Sequence, residues 1–150
     1  MTGQENGYGQ FEIDVMGAVA RFIIPPSEAY ALPGADDEAI LPKLVQLALR
    51  QKKGIGRGIE KLQELAREDL GTELTAENAD QLLSSRPGEL RSFMAAMMMV
   101  TAQAYYQDAR VVASLGLPAR PPFPKGHALE QGDLTLLDAV KERGPIYRDV

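Results

Sequence analysis

A chain of 150 residues, 45% hydrophobic and 25% charged, can build one domain with its own core, so we do not expect disorder along its whole length. With no cysteine and a single histidine, His127, it cannot form disulfides, thiolate metal sites, iron–sulfur clusters or a histidine-rich metal site. The formal net charge of −5 disfavours nucleic acid or an anionic membrane as the main partner.

Residues 1–10 are polar and contain glycine, which predicts a flexible leader. They lack the basic and apolar regions of an export signal, and they lack a twin arginine. No apolar run approaches the roughly 18 residues needed to span a bilayer. We therefore expect a cytoplasmic protein.

Helical periodicity then predicts an all-α fold, with a small helical bundle over residues 11–115. The first helix ends at Pro25-Pro26, because proline removes a donor and restricts the residue before it. Asp36 and Asp37 are expected to cap a second helix that stops near Lys52-Lys53-Gly54. A third helix is expected from about Gly58 to Leu70, with Gly71 as its stop. The apolar positions of the first helix are Phe11, Val15, Val19, Phe22 and Ile23.

The second half of the bundle contains its longest predicted helix. Thr75 with Asn78 is expected to start a short helix that runs through Leu82-Leu83, and the longest helix begins around Pro87-Gly88-Glu89. A shorter helix near residues 108–115 is expected to stop at Gly116. The wide apolar face predicted for the longest helix comprises Leu90, Phe93, Met94, Met97, Met98, Thr101 and Tyr105.

Residues 116–150 are predicted to form an extended C-terminal arm with a short helix over about residues 133–143. Residues 117–126 are too rich in proline for regular structure. The arm carries considerable apolar surface, which could fold back on the bundle or lie across a larger protein; both remain open. Its apolar residues are Phe123, Leu129, Leu134, Leu136, Leu137, Ile146 and Tyr147.

The glycine cluster Gly54-Ile55-Gly56-Arg57-Gly58 allows three interpretations. The simplest is a plain connection between two helices. Backbone amides at a glycine-rich turn can also hold a phosphate, and the Gly-hydrophobic-Gly pattern resembles the turn of helix-hairpin-helix DNA-binding motifs. A dinucleotide fingerprint is disfavoured because no strand precedes the cluster. The local charge suits an anion, since the cations here are Arg50, Lys52, Lys53, Arg57 and Lys61.

Three further features carry little chemistry. The Met97-Met98-Met99-Val100 run fits either a central core helix or an adaptable partner surface. His127 has no carboxylate pair or serine at a diagnostic spacing, which favours an exposed or interface histidine over a catalytic one. Tyr105-Tyr106 is expected to anchor the turn after the longest helix rather than to bind a ligand.

Three stretches together resemble the gluconate 2-dehydrogenase subunit 3 family, the small subunits that accompany FAD-dependent dehydrogenases of the glucose–methanol–choline (GMC) oxidoreductase type. The first stretch is Ala20-Arg21-Phe22-Ile23-Ile24-Pro25-Pro26, and the second is the middle helical region through Leu82-Leu83. The third combines Ala104-Tyr105-Tyr106-Gln107-Asp108 with Leu115-Gly116 and residues 120–126.

The resemblance implies a non-catalytic small subunit that binds and stabilises the catalytic subunit of an FAD-dependent sugar or alcohol dehydrogenase. No cofactor is expected in this chain, and FAD is expected in the partner. The alternative is a small helix-hairpin-helix-like nucleic-acid-binding module using residues 52–61. The residues predicted to bind the partner subunit are Tyr105, Tyr106, Arg120, Pro121, Pro122, Phe123, Pro124, Ile146, Tyr147 and Arg148.

Overall fold

Helices make up most of the described chain. The structure, a computed structural model, describes residues 7–117, 126 and 132–144. It contains no β-strand among these residues; Ser27 and Leu32 form one isolated antiparallel bridge. The predicted all-α fold is therefore confirmed. The chain divides into two units, Met1–Ala119 and Arg120–Val150.

The first unit contains six α-helices within residues 7–117, and residues 132–144 of the second unit contain a short one. The first-unit helices are α1 (Gln10–Ile23), α2 (Leu41–Ala48), α3 (Lys52–Leu65), α4 (Ala76–Ser85), α5 (Arg91–Tyr105) and α6 (Ala109–Ser114). A 3-10 turn, Leu49–Gln51, joins α2 to α3, and a π-helical turn, Ala66–Leu70, follows α3. The second unit has a 3-10 turn, Leu134–Leu137, followed by α7 (Asp138–Lys141).

The core of the first unit forms around α5, which packs against α1, α2 and α3, while α4 packs chiefly against α1. One continuous cluster of buried side chains runs from Val15 to Val111, so every helix of this unit contributes to a single core. The largest fully buried members are Met16, Ile40, Leu44, Ile55, Leu62, Leu65, Leu82, Leu90 and Met97.

Local capping explains several of the helix ends. Thr75 and Asn78 form the expected capping box at α4: the Asn78 amide donates to Thr75 Oγ1 at 3.3 Å, and the Thr75 amide donates to Asn78 Oδ1 at 2.8 Å. Gly71 and Gly116 have positive φ values of 65° and 72°, which terminate the helical turns before them. The predicted start of α4 and both predicted glycine stops are confirmed.

The end of the predicted leader is held against the bundle. The Tyr8 hydroxyl donates to the Ala48 carbonyl oxygen at 3.1 Å, and Lys52 Nζ donates to the Gly7 carbonyl oxygen at 3.0 Å. Lys52 Nζ also lies 5.9 Å from the centre of the Tyr8 ring. Burial, aided by the nearby Glu12 carboxylate, raises the pKa of Tyr8 to about 12. Residues 1–6 lie outside the described residues.

The predicted boundary between the second and third helices is wrong. α2 ends at Ala48, and α3 begins at Lys52, so Gly54, Gly56 and Gly58 lie inside α3 and not in a turn. Gly58 is buried, and a Cβ atom there would overlap the Phe93 ring of α5, whereas Gly54 and Gly56 have open space around them. Gly58 therefore allows α3 and α5 to approach closely. Glycine content alone does not distinguish this role from that of a turn residue.

The apolar face predicted for the longest helix is too wide. α5 buries Phe93, Met97 and Val100, but Met98 and Met99 are 53% and 55% exposed. α5 therefore packs against three helices but keeps one side open to solvent, so it is not buried all round. Part of the methionine run belongs to the core, and part lies on the molecular surface.

Candidate functional site

The tyrosine pair at the end of α5 divides between core and surface. Tyr105 is buried, and its hydroxyl donates to the Pro33 carbonyl oxygen at 3.0 Å. Desolvation is the main cause that raises the pKa of Tyr105. Tyr106 is exposed, and its ring meets the Tyr105 ring edge-on at 5.7 Å. Of the two tyrosines predicted to bind a partner, Tyr106 alone presents its side chain to solvent.

The other predicted partner-binding residues belong to the predicted C-terminal arm. They lie outside the described residues, as does His127; they are Arg120, Pro121, Pro122, Phe123, Pro124, Ile146, Tyr147 and Arg148.

The second unit exposes apolar side chains on a short helical segment, Leu134–Lys141, which we call the C-terminal helical segment. Asp133 starts it by accepting a hydrogen bond from the Thr135 amide at 3.0 Å. Lys141 Nζ pairs with Asp138 Oδ1 at 3.0 Å on its polar side. Leu136 is 78% exposed, and the other exposed apolar residues of the segment are Leu134, Leu137 and Val140. A water-facing apolar row of this kind is typical of a contact surface.

An open apolar groove lies on the first unit, where the end of α1, the end of α4 and the first two turns of α5 meet. Its volume is about 700 Å³. Met98 and Phe22 are both exposed in it, and Ser84 and Arg91 supply its polar side chains. The groove, called the apolar groove below, is lined by Phe22, Leu83, Ser84, Pro87, Arg91, Met94, Ala95 and Met98.

Arg91 supplies the charge of the apolar groove. It is exposed and makes no ion pair with the described residues. Nearby Arg86, in contrast, is already paired with Asp69 at 2.7 Å and with Glu89 at 2.8 Å. Since α5 has no acidic residue in its first turn, the positive charge at this end of the groove is not balanced from within the helix.

A basic patch, formed by Arg50, Lys52, Lys53 and Arg57, lies around the junction of α2 and α3. All four side chains are exposed, and none forms an ion pair within the part of the chain that the structure describes. Lys61, which the sequence grouped with them, instead pairs with Glu64 at 3.1 Å and with Glu89 at 3.4 Å. The patch can attract an anionic surface, but it lacks the glycine turn on which the phosphate and helix-hairpin-helix interpretations depended.

A second cleft, also of about 700 Å³, lies between α1 and the start of α4. Its carboxylates are Asp14, Asp36, Glu77 and Asp80, and Arg21 Nη1 pairs with Asp36 Oδ2 at 3.0 Å. Among residues 7–117, 126 and 132–144, no three histidine, aspartate or glutamate side chains are placed to hold a metal ion together.

Arg110 joins the turn before α2 to the start of α6. Its guanidinium contacts both Asp37 oxygens at 2.7 and 3.2 Å, and its Nε donates to Asp108 Oδ1 at 2.9 Å. These hydrogen bonds lower the pKa of Asp37 and of Asp108 and raise that of Arg110. Asp37 was expected as a helix cap; it instead accepts from the Ala39 amide and pairs with Arg110, while α2 begins at Leu41.

Sequence reasoning missed the apolar groove. It placed Phe22 among the apolar positions of the first helix, used Pro87 only as a helix start, and did not single out Arg91. Periodicity reports which face of one helix is apolar, but a groove shared by three elements depends on how those elements pack.

Comparison of the chain with models of known protein families, with characterised proteins and with solved structures finds no match. None of the described helices is both long and apolar enough to cross a membrane.

Proposed function

We propose that this chain is a non-catalytic small subunit that binds and stabilises the catalytic subunit of an FAD-dependent sugar or alcohol dehydrogenase of the GMC type. The observation that carries the proposal is the exposed apolar row of the C-terminal helical segment, in which Leu136 is 78% exposed. The family resemblance supports the identity of the partner. It covers residues 20–26, the middle helical region through Leu82-Leu83, and residues 104–108, 115–116 and 120–126. The cytoplasmic location expected from the sequence belongs to the same proposal.

Burial of apolar surface supplies the physical role. Removing such surface from water contributes about 25 cal/mol per Å² before the costs of association, so four leucine and valine side chains can anchor a contact. A subunit that binds only the folded, FAD-loaded partner stabilises that state by mass action. FAD would carry out hydride transfer in the partner, and this chain would supply contact surface.

The test is to purify the tagged protein from an extract of its native cells and to record the visible absorption spectrum of the eluate. We expect a larger chain to co-purify and to show the absorption bands of bound flavin. The matched variant replaces Leu136 and Val140 by lysine, and we expect it to lose the flavoprotein while its helical circular dichroism stays unchanged. A colourless eluate containing the tagged chain alone would contradict the proposed function.

The basic patch favours a second candidate function, a small nucleic-acid-binding module. Its exposed cations predict binding that weakens steeply as salt concentration rises. Lys53 and Arg57 are the residues to change to alanine, because Lys52 also holds Gly7 and Tyr8 in place. If the wild-type protein does not change the electrophoretic mobility of duplex DNA at low salt, this candidate function is eliminated.

A further inference from the structure

The apolar groove has no assigned role in the proposed function, which used the C-terminal helical segment. We propose that the groove is a second docking site, and that it receives an amphipathic helix of the dehydrogenase subunit with a carboxylate next to Arg91. This inference rests on the proposed function and deepens it, since it names the chemistry of the partner's contacting segment.

The shape of the groove matches a helix. Met94, Ala95 and Met98 lie three, four and seven residues after Arg91, so the four residues form one stripe along α5. Seven residues of helix extend about 10 Å, or two turns. Phe22 and Leu83 form the facing wall. A groove of this length accepts a helix that presents apolar residues at the same spacing.

The exposure of the groove indicates an occupant with apolar side chains. Met98 is more than half exposed although Met97, its neighbour in the chain, is fully buried. Phe22 is likewise exposed at the end of α1, and together these side chains form a continuous apolar surface rather than scattered residues. Flexible methionine side chains adapt readily to an incoming helix.

Charge complementarity fixes the polar part of the occupant. Arg91 lies at the first residue of α5, where the positive end of the helix dipole adds to its own charge. No described carboxylate pairs with it, whereas Arg86, a few residues earlier, has two acidic partners. An aspartate or glutamate on the incoming helix would pair with Arg91 and with this helix end at once.

The test uses two adjacent methionines as a matched pair. Met98 lines the groove, whereas the Met99 sulfur lies 3.7 Å from Gln51 Nε2, on the side of α5 that faces the α2–α3 junction. Their exposed fractions are nearly equal, so Met98→Lys and Met99→Lys differ mainly in position. The readout is the flavin absorbance retained per tagged chain, and thermal unfolding of each variant monitors the fold.

We expect Met98→Lys to lower the retained flavoprotein by roughly tenfold or more, as for an apolar residue whose burial anchors an interface. Met99→Lys should retain the wild-type amount. Arg91→Glu should weaken retention several-fold, and Arg91→Lys should keep most of it, because the positive charge persists.

The contrary outcomes separate the two proposals. If the purified wild-type protein retains no flavin, both the proposed function and this inference are overturned. If the wild-type protein retains the flavoprotein and Met98→Lys retains it equally well, the groove assignment alone is overturned. The same holds if Met99→Lys reduces the retained flavoprotein as much as Met98→Lys does. A wild-type dimer in size-exclusion chromatography that Met98→Lys converts to monomer, with flavoprotein binding unchanged, would assign the groove to a second copy of the chain.

Discussion

Gly58 sets how closely α3 and α5 approach one another. It is buried against Phe93, and a methyl group at this position would meet the ring rather than empty space. Gly56, half a turn away on the same helix, has nothing within contact range of an added methyl group. Two glycines of one short cluster therefore have different physical roles.

Substitution of these two glycines by alanine should change stability in opposite directions. Gly58→Ala forces the helices apart or strains Phe93, and we expect it to lower the free energy of unfolding by roughly 1–3 kcal/mol. Gly56→Ala should raise it by roughly 0.5–1 kcal/mol, because alanine favours the helix and meets no neighbour. Urea unfolding followed by circular dichroism measures both; equal stability of the two variants would contradict the packing role of Gly58.

The two tyrosines at the end of α5 provide a second matched comparison. Tyr105→Phe removes the hydrogen bond to Pro33, and we expect a loss of about 1 kcal/mol in the free energy of unfolding. Tyr106→Phe should leave stability unchanged, since its ring is exposed. Thermal unfolding of both variants measures these changes. Equal loss of stability in the two variants would show that the Pro33 contact does not stabilise the fold.

The sequence could place Tyr105 but not Tyr106. Helical spacing puts Tyr105 in line with Met97 and Thr101, and all three are buried as that spacing predicts. The family resemblance assigned both tyrosines to the partner surface. Whether a residue one position further along a helix is covered depends on what packs beside it, and Tyr106 has no periodic signal of its own.

At the scale of elements, Arg110 connects the turn before α2 to α6 through two carboxylates. Asp37 and Asp108 have pKa values lowered by its hydrogen bonds, so their contribution to stability is fully present above the unfolded-state pKa of about 3.9. That contribution is lost as pH falls through the lowered folded-state values. The connection should therefore weaken in acid and be independent of pH near neutrality.

The pH dependence of Arg110→Met isolates this connection. Methionine keeps an apolar chain of similar length but removes the guanidinium. We expect the variant to be less stable than wild type at about pH 7 and the difference to shrink at about pH 2, well below the unfolded-state carboxyl pKa of about 3.9. Thermal midpoints at both pH values provide the measurement. A difference that stays constant with pH would assign the loss to packing instead.

Element ends were predictable where their determinants are local. The capping box at Thr75 and the left-handed glycines at 71 and 116 depend on residues adjacent in the chain, and the sequence identified all three. The α2–α3 boundary was not predictable in this way. It lies at Leu49–Gln51, without glycine or proline, and the glycines that suggested a turn are accommodated in α3.

At the scale of the whole molecule, the buried core side chains of the described residues all belong to the first unit. Its buried cluster begins at Val15 and ends at Val111, all within Met1–Ala119. The all-α fold followed from periodicity, because that signal is repeated over each long helix. The apolar groove could not be predicted from periodicity, because it exists only where three elements meet.

Truncation after Gly116 separates folding from partner binding. We expect the shortened protein to keep its helical circular dichroism and to unfold cooperatively, since it retains every buried core side chain found among the described residues. Association with the flavoprotein should be lost, because the C-terminal helical segment is gone. Circular dichroism and flavin retention are the two measurements. A truncated protein that still binds its partner fully would show that the arm is not needed for binding.

The contact between Gly58 and Phe93 also restricts how related chains can diverge. A side chain at position 58 is accommodated only if position 93 becomes smaller or the two helices separate, so the two positions should change together over evolution. An added Cβ at Gly54 or Gly56 would contact no residue of α5, so the residues at these positions should vary independently of α5. In a set of related sequences, a paired substitution at positions 58 and 93 would therefore identify the proteins in which the distance between α3 and α5 has changed.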